Sequence, residues 1–145
     1  MKRYDAIIIG FGKGGKTLAT DLAASGKKVA MVEKSNKMYG GSCPNVGCVP
    51  TKFLVNKSEI SEIKAFASFA EKAEFYTWSI AQKKKMREMI LSKMFTMLDS
   101  NSNVDLYTAK GSFVSPNEVE LDGDGFKAVI YGDKIVIDTG SVPFI

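Results

Sequence analysis

"GFGKGGKT", residues 10–17, directly follows the short apolar run "AIII" at 6–9, and its reading decides the fold. These residues satisfy two phosphate-binding patterns at once. Gly10, Gly12 and Gly15 make the G-x-G-x-x-G of a dinucleotide-binding turn, whereas Gly10, Gly15, Lys16 and Thr17 make the G-x-x-x-x-G-K-T of a P-loop. In the P-loop reading Lys16 meets the phosphates, Thr17 meets magnesium, and Asp138, closing "IVID", serves as the acid of a second phosphate-loop motif. The eight residues alone do not separate the two readings, so the neighbours must.

Upstream, "YDAIII" (4–9) is a short apolar, β-branched run and reads as a central strand. A helix pattern follows over 13–25, with Leu18, Ala19, Leu22 and Ala23 as its inner stripe and Gly26 as its stop. "KVAMVE" (28–33) reads as a second buried strand, so strand, helix and strand form a right-handed parallel βαβ unit. Its last residue, Glu33, stands where a dinucleotide fold needs an acid for ribose hydroxyls, about 20 residues past the glycines. The glycines suit that turn: Gly10 for the sharp bend, Gly12 for close approach of a pyrophosphate, Gly15 for packing helix on strand. The helix amino terminus then faces the anion. Lys13 and Lys16 add positive potential or are plain exposed lysines.

The remainder is read more coarsely. Residues 35–52 are rich in Gly, Pro, Asn and Ser and read as a loop; helical patterns cover 53–70 and 79–99. In the second, Met86, Met89, Ile90, Met94, Met97 and Leu98 fall near helical spacing and read as core or subunit contact. Short strands follow at 104–108, 111–114, 118–121, 126–131 and 134–138, with turns at "SPN", "DGDG" and "YGD", which suggests an antiparallel meander. "DGDG" reads as a hairpin turn, since a calcium loop begun at Glu120 would place Tyr131 where its final glutamate is needed. The fold class is therefore α/β: a partial Rossmann-like FAD/NAD(P)-binding domain, a parallel sheet with helices plus an antiparallel β-meander.

With 145 residues the chain has the length of one domain, and its 45% hydrophobic and 25% charged content is ordinary for a globular protein. No apolar run approaches the roughly 20 residues of a membrane span, so no membrane partner is expected. The net charge of +4 is spread out. Its densest run, Lys83–Lys85, reads as a solvated helix face, and no DNA-reading motif accompanies it, so no nucleic-acid partner is expected. There are two cysteines, Cys43 and Cys48, and no histidine, too few ligands for a structural zinc site and better suited to redox work. On a straight helix, Cα atoms five residues apart lie about 8–9 Å from one another, beyond the disulfide reach of about 7 Å. The cysteines can bridge only if the backbone bends between them, and Pro44, Asn45 and Gly47 are the residues to bend it. Pro50 suits the first turn of a following helix, with Lys52 just inside.

"GGSCPNVGCVPTK" (40–52) closely resembles the G-G-T-C-x-N-x-G-C-x-P-[ST]-K redox signature of the pyridine nucleotide–disulfide oxidoreductases. A third mark is the strand ending in "IVIDTGSVP", similar to that family's A-T-G segment, with Asp138 at the usual alanine. The resemblance covers the whole chain in order and displaces the P-loop reading. It implies an FAD-dependent, NAD(P)H-driven oxidoreductase whose Cys43/Cys48 disulfide passes electrons to a small oxidised molecule. Cys43 would be the interchange thiol and Cys48 the thiol facing the flavin. Gly10, Gly12, Gly14 and Gly15 would present backbone to the FAD pyrophosphate, Glu33 would hold the adenosine ribose, and Ser42 would replace the usual threonine beside the pyrophosphate. Lys52 would lie by the flavin N5 edge, Ser112 would touch adenine through main chain, and Thr139 and Gly140 would lie near the flavin. Asp138, if charged near the flavin, would oppose its reduction, so it is expected to point away or to be paired.

Within the family, "GFGKGGKTLA" with "MYGGSCPNVGC" is most similar to the flavoproteins that reduce hypothiocyanous acid and related reactive chlorine stress products, relatives of mercuric reductase. Dihydrolipoamide, glutathione disulfide and mercuric ion are the alternative substrates. Family enzymes are several times longer, so residues 1–145 are expected to be the N-terminal part of a discontinuous FAD-binding domain. The nicotinamide-binding, returning FAD and dimerisation parts, with a His–Glu acid/base pair, are absent from this chain. The implied parent is a cytoplasmic homodimer, and the fragment by itself is expected to be inactive.

Overall fold

The computed structural model describes residues 1–141; Val142 and Pro143, which end the "IVIDTGSVP" motif, lie outside the described residues with the two that follow. The alternating apolar residues of the first βαβ unit set the architecture. In strand β1 (Lys2–Ile9), Ile7 and Ile9 point to one side and Ile8 to the other; in β2 (Val29–Glu33), Ala30 and Val32 oppose Val29 and Met31 in the same way. All are buried, so both faces of the sheet are covered, as a parallel sheet requires. Each such side chain contributes roughly 1.5–3 kcal/mol by leaving water.

Helix α1 (Lys13–Ala24) packs Ala19 and Ala23 on the Ile8 face. It ends at Gly26, whose φ of +81° lets its own N–H and that of Lys27 return to the carbonyls of Ala23 and Leu22. A short turn, α2 (Ser42–Asn45), and helix α3 (Cys48–Lys64) occupy much of the stretch read as loop, and α4 (Phe69–Asp99) begins ten residues before the expected position 79. Its start was legible: Ser68 accepts from the Glu71 N–H, and the Glu71 carboxylate accepts from the Ala67 N–H, a capping-box arrangement. Of the methionine stripe, Leu98 is buried and Met94 packs on the core with Phe95, while Met89 and Met97 are exposed.

Strand β3 (Val104–Ser115), β4 (Glu118–Gly123) and β5 (Phe126–Ile137) complete a mixed five-stranded sheet that closes on itself. The parallel layer runs β3-β2-β1-β5, and β4 joins its two ends antiparallel to both. The expected meander is present, but with three strands, because 104–108 with 111–114, and 126–131 with 134–138, are each one continuous strand. "YGD" is therefore not a turn. Gly132 lies there because a methyl group on it would meet Ile7 Cγ1 at 2.8 Å, so β5 can cross close over β1. The turns at Pro116–Asn117 and Asp124–Gly125 are as expected, with Gly125 at φ +76°. The meander covers the Ile7/Ile9 face with Val119, Leu121 and Ile130, while helices cover the other.

Candidate functional site

Chain order turns the first three parallel strands outward from β1 to β3, and β5 returns on the other side of β1. The carboxyl edge between β1 and β5 is thus the switch point at which such sheets hold ligands. The glycine turn lies there. Gly10 leaves β1 at φ +109°, its N–H bonded to the Val32 carbonyl, a conformation that disfavours any side chain. Helix α1 then begins with Gly12 as its cap residue and no side-chain cap. The N–H groups of Lys13 and Gly14 have no partner among the described residues, and Gly14 is exposed. A helix amino terminus with free amides is fitted to an anion.

Glu33 is buried at the end of β2, and its two oxygens accept from the N–H groups of Phe11 at 3.0 Å and Ser35 at 3.1 Å. The carboxylate therefore shapes the turn and stays beside it, each oxygen keeping a lone pair for a hydroxyl. Asp138 follows β5; its N–H bonds to the Ile9 carbonyl, and its Oδ2 accepts from Gly15 N–H at 2.8 Å. The departure from alanine is thus paired, at the amino end of α1. Methyl groups on Gly12 or Gly15 would each fall 2.7 Å from that oxygen, so these glycines accommodate a carboxylate as well as any ligand.

The cysteine segment packs onto the same turn. A methyl group on Gly41 (φ +75°) would come 2.8 Å from Gly12 Cα, which brings the start of α2 into backbone contact with the glycine turn. Between Cys43 and Cys48 the helix breaks, as the bend requires: α2 stops at Asn45, the N–H groups of Val46 and Gly47 both return to the Ser42 carbonyl, and α3 restarts at Cys48. Pro50 falls in the first turn of α3 and Lys52 one step further. Both cysteines are free thiols, Cys48 exposed and Cys43 partly so. The neighbouring Cys43 thiol lowers the Cys48 pKa, and Lys52 and Lys13 add to that; the same proton-sharing raises Cys43. Both shifts run in the direction that favours negative charge on Cys48 over Cys43.

Asn45, read from sequence only as a bend residue, and two residues not singled out from sequence hold this geometry. Asn45 is buried; its Nδ2 donates to the Tyr39 and Gly41 carbonyls at 3.0 and 2.7 Å, clamping the loop to the cysteine turn. Its Oδ1 is buried without a partner among the described residues. Tyr39 stacks between Phe11 and Phe95 and shares a 2.6 Å hydrogen bond with Thr108 on β3. Arg87 on α4 donates to the Lys37 carbonyl at 2.7 Å. Only Asn45 carried a sequence signal, as part of the cysteine signature.

The remaining expected site residues are at the same end but make no mutual contacts among those described. Ser42, Lys52, Ser112, Thr139 and Gly140 are exposed. Ser112 follows Gly111, which packs on Ile9 and Val32 at the strand ends; Thr139 follows Asp138, beside Gly10. The P-loop alternative has no support here. The Thr17 hydroxyl donates to the Lys13 carbonyl within α1, and the Asp138 carboxylate is bound to Gly15 instead of being held for a magnesium ion.

Comparison with known proteins gives the same answer. The sequence profile of the family described as pyridine nucleotide-disulphide oxidoreductase matches residues 4–145. The chain is 36% identical over 141 residues to the probable pyridine nucleotide-disulfide oxidoreductase RclA of Escherichia coli, covering 97% of this chain and 29% of that protein. It is 32% identical over 154 residues to the glutathione reductase of Schizosaccharomyces pombe, covering 98% of this chain and 32% of that one. Among solved structures, the Cu(II) complex of the HOCl-induced flavoprotein disulfide reductase RclA from Escherichia coli superposes with a TM-score of 0.83 at 36% identity, covering 99% of this chain and 30% of that one. The chain spans about three tenths of the length of these relatives. A dithiol beside a dinucleotide-type glycine turn, in the fold and signature these proteins share, makes this chain a member of the pyridine nucleotide–disulfide oxidoreductase family.

Proposed function

We propose that this chain is the N-terminal, dithiol-bearing part of a discontinuous FAD-binding domain, in an NAD(P)H-driven flavoprotein that reduces an oxidised-sulfur or related small molecule. The observation that carries this reading is the seating of the cysteine turn against the glycine turn, with Cys48 as the thiolate. The residues present fit FAD: free amides at Lys13 and Gly14 for the pyrophosphate, the buried Glu33 carboxylate for the ribose, and the exposed Ser42 hydroxyl beside them. When bound, FAD supplies the two-electron link between a reduced nicotinamide and the dithiol.

In this reading two electrons and one proton convert the Cys43–Cys48 disulfide to a Cys43 thiol and a Cys48 thiolate. Cys43, once deprotonated, attacks the oxidised sulfur of substrate and releases its leaving group. Cys48 then attacks the Cys43 sulfur, which frees the reduced product and restores the disulfide. The Cys43 proton is held by its neighbour, so a base must remove it before attack. The chain has no histidine, and the His–Glu pair implied by the family would come from elsewhere in the enzyme. Lys13 and Lys52 favour the Cys48 thiolate throughout.

The similarity to RclA, described as HOCl-induced, supports a product of reactive chlorine stress as the substrate. The parent is a homodimer acting in the cytoplasm with no nucleic-acid partner; the dispersed positive charge supports the last point. Among the described residues no helix is long and apolar enough to cross a membrane. The test is spectroscopic: the enzyme carrying this chain purifies yellow, and two-electron reduction produces a thiolate-to-flavin charge-transfer band. Cys48→Ser removes that band and Cys43→Ser keeps it. A band that survives Cys48→Ser defeats the assignment of roles.

A further inference from the structure

Asp138 carries an inference beyond the proposed function, though it rests on that reading for the identity of the ligand. Its carboxylate occupies the amino end of α1. Oδ2 accepts the Gly15 N–H at 2.8 Å, and methyl groups on Gly12, Gly14 or Gly15 would all come within contact of the same carboxylate. Its backbone is fixed by the Ile9 carbonyl, and its main chain is what a methyl group on Gly10 would strike first. One residue at the tip of β5 therefore touches every glycine of the turn.

We propose that Asp138 is a positioning residue that both pins the phosphate-binding turn and weakens the grip of that turn on a diphosphate. As a pin, it consumes one of the amides that would otherwise face the anion, leaving those of Lys13 and Gly14. As a charge, it places a carboxylate within the same amino-terminal field that attracts the pyrophosphate, and like charges at this range repel. The positive end of α1 is thus shared between an internal carboxylate and the cofactor. The consequence is a cofactor held less tightly than the glycine turn alone would hold it.

Two substitutions separate the pin from the charge. Asp138→Asn keeps an acceptor for Gly15 N–H and removes the charge; Asp138→Ala removes both. FAD is added to the apo form of the enzyme carrying this chain, and binding is followed by flavin fluorescence at several salt concentrations. Asp138→Asn is expected to bind FAD roughly threefold to tenfold more tightly than wild type at low salt. That ratio shrinks as salt rises, because screening acts on charge and not on packing. Hydrogen exchange at the Gly15 amide stays slow in wild type and Asp138→Asn and becomes fast in Asp138→Ala. Equal or weaker binding by Asp138→Asn, a ratio that salt leaves unchanged, or Gly15 exchange indifferent to Asp138→Ala overturns the proposal. Failure of wild type and both variants alike to take up FAD overturns the flavin reading itself, and the charge role with it.

Discussion

The βαβ unit that opens the chain and the helical pair α3/α4 differ in how they are held. Every residue of β2 is buried, as are the last four of β1, and α1 buries Gly15, Ala19 and Ala23 against them. By contrast α3 buries none of its 17 residues, and α4 buries only Ser79 and Leu98 of its 31. Apolar side chains on that pair, among them Ile63, Phe69 and Tyr76, remain largely exposed. The first region is stabilised by tertiary packing on both faces. The second depends on its cap at Ser68, on aromatic contacts along α4 such as Phe75 with Trp78 and with Phe66 just before the helix, on Lys57 of α3 over the Trp78 ring, and on the carboxyl end of α4, where Phe95 and Leu98 reach the core. The site is built where these meet: the βαβ unit supplies the glycine turn, and α2 and the start of α3 supply the thiols of Cys43 and Cys48.

The sharpest way to break this contrast is a matched pair of truncations. Ile8→Ala, in a position with no exposure, is expected to cost about 2–5 kcal/mol of unfolding free energy. Val55→Ala on α3, 53% exposed, is expected to fall within about 0.5 kcal/mol of wild type. Urea unfolding of the two variants checks this, and comparable losses would erase the distinction between the regions.

Gly15→Ala is next. Its methyl group would lie 2.7 Å from Asp138 Oδ2 and 2.8 Å from Ile8 Cγ2, an overlap expected to cost about 1–3 kcal/mol. Because backbone and a buried isoleucine must yield, the same variant should lose FAD uptake while α3 and α4 keep their helical circular dichroism. A variant as stable as wild type would show that the turn is not packed as described.

A third measurement sharpens the account where the regions join. Cys48 is held below the ordinary thiol range chiefly by the Cys43 thiol, so its alkylation rate should level off at lower pH than a free cysteine's. Cys43→Ala, which leaves no side-chain donor at that position, should move that plateau toward higher pH. An unmoved plateau would assign the effect to Lys52 and Lys13 instead, the lesser contributors.

The smallest effect is expected at the opposite end of the sheet. Asp105 on β3 accepts from Tyr4 and from Lys2, and these hydrogen bonds, Tyr4 foremost, depress its pKa. A depressed carboxylate stabilises the fold above its unfolded pKa, and that contribution is lost as pH falls through its folded value. Wild type should therefore lose more stability than Asp105→Asn on acidification below about pH 4, by a modest margin because the group is part-exposed. Thermal melts of both proteins across that range provide the check.

Much of the fold was legible because its signals are local. The alternation in "AIII" and "VAMVE", the stop at Gly26 and the acid at Glu33 sit within one βαβ unit, where each residue's role depends on near neighbours. Residues 109–110 and 132 were harder. They read as breaks between strands, yet they lie within continuous strands, and at Gly132 the closeness of Ile7 leaves no room for a side chain. The helix start at Cys48 was placed late because Gly, Pro and Ser around it look like loop; the pattern read over 53–70 runs across the break at Ala65, although Ser68 and Glu71 formed a cap pair for the next helix. In the site, the signature identified the cysteines and their lysine. The clamps by Asn45, Tyr39 and Arg87 bridge residues from 4 to 69 positions apart, which no local pattern reports.

By itself the sequence determined the chemistry available: two thiols five residues apart, a glycine turn after a buried strand, an acid at the end of the next strand, and no imidazole. Those are matters of composition and short spacing, which covalent order preserves. Only the tertiary structure decided that the cysteine turn rests on Gly12 and that Asp138 spends its carboxylate on Gly15. Both depend on distances between segments far apart in the chain, and such distances exist only once both faces of the sheet are buried.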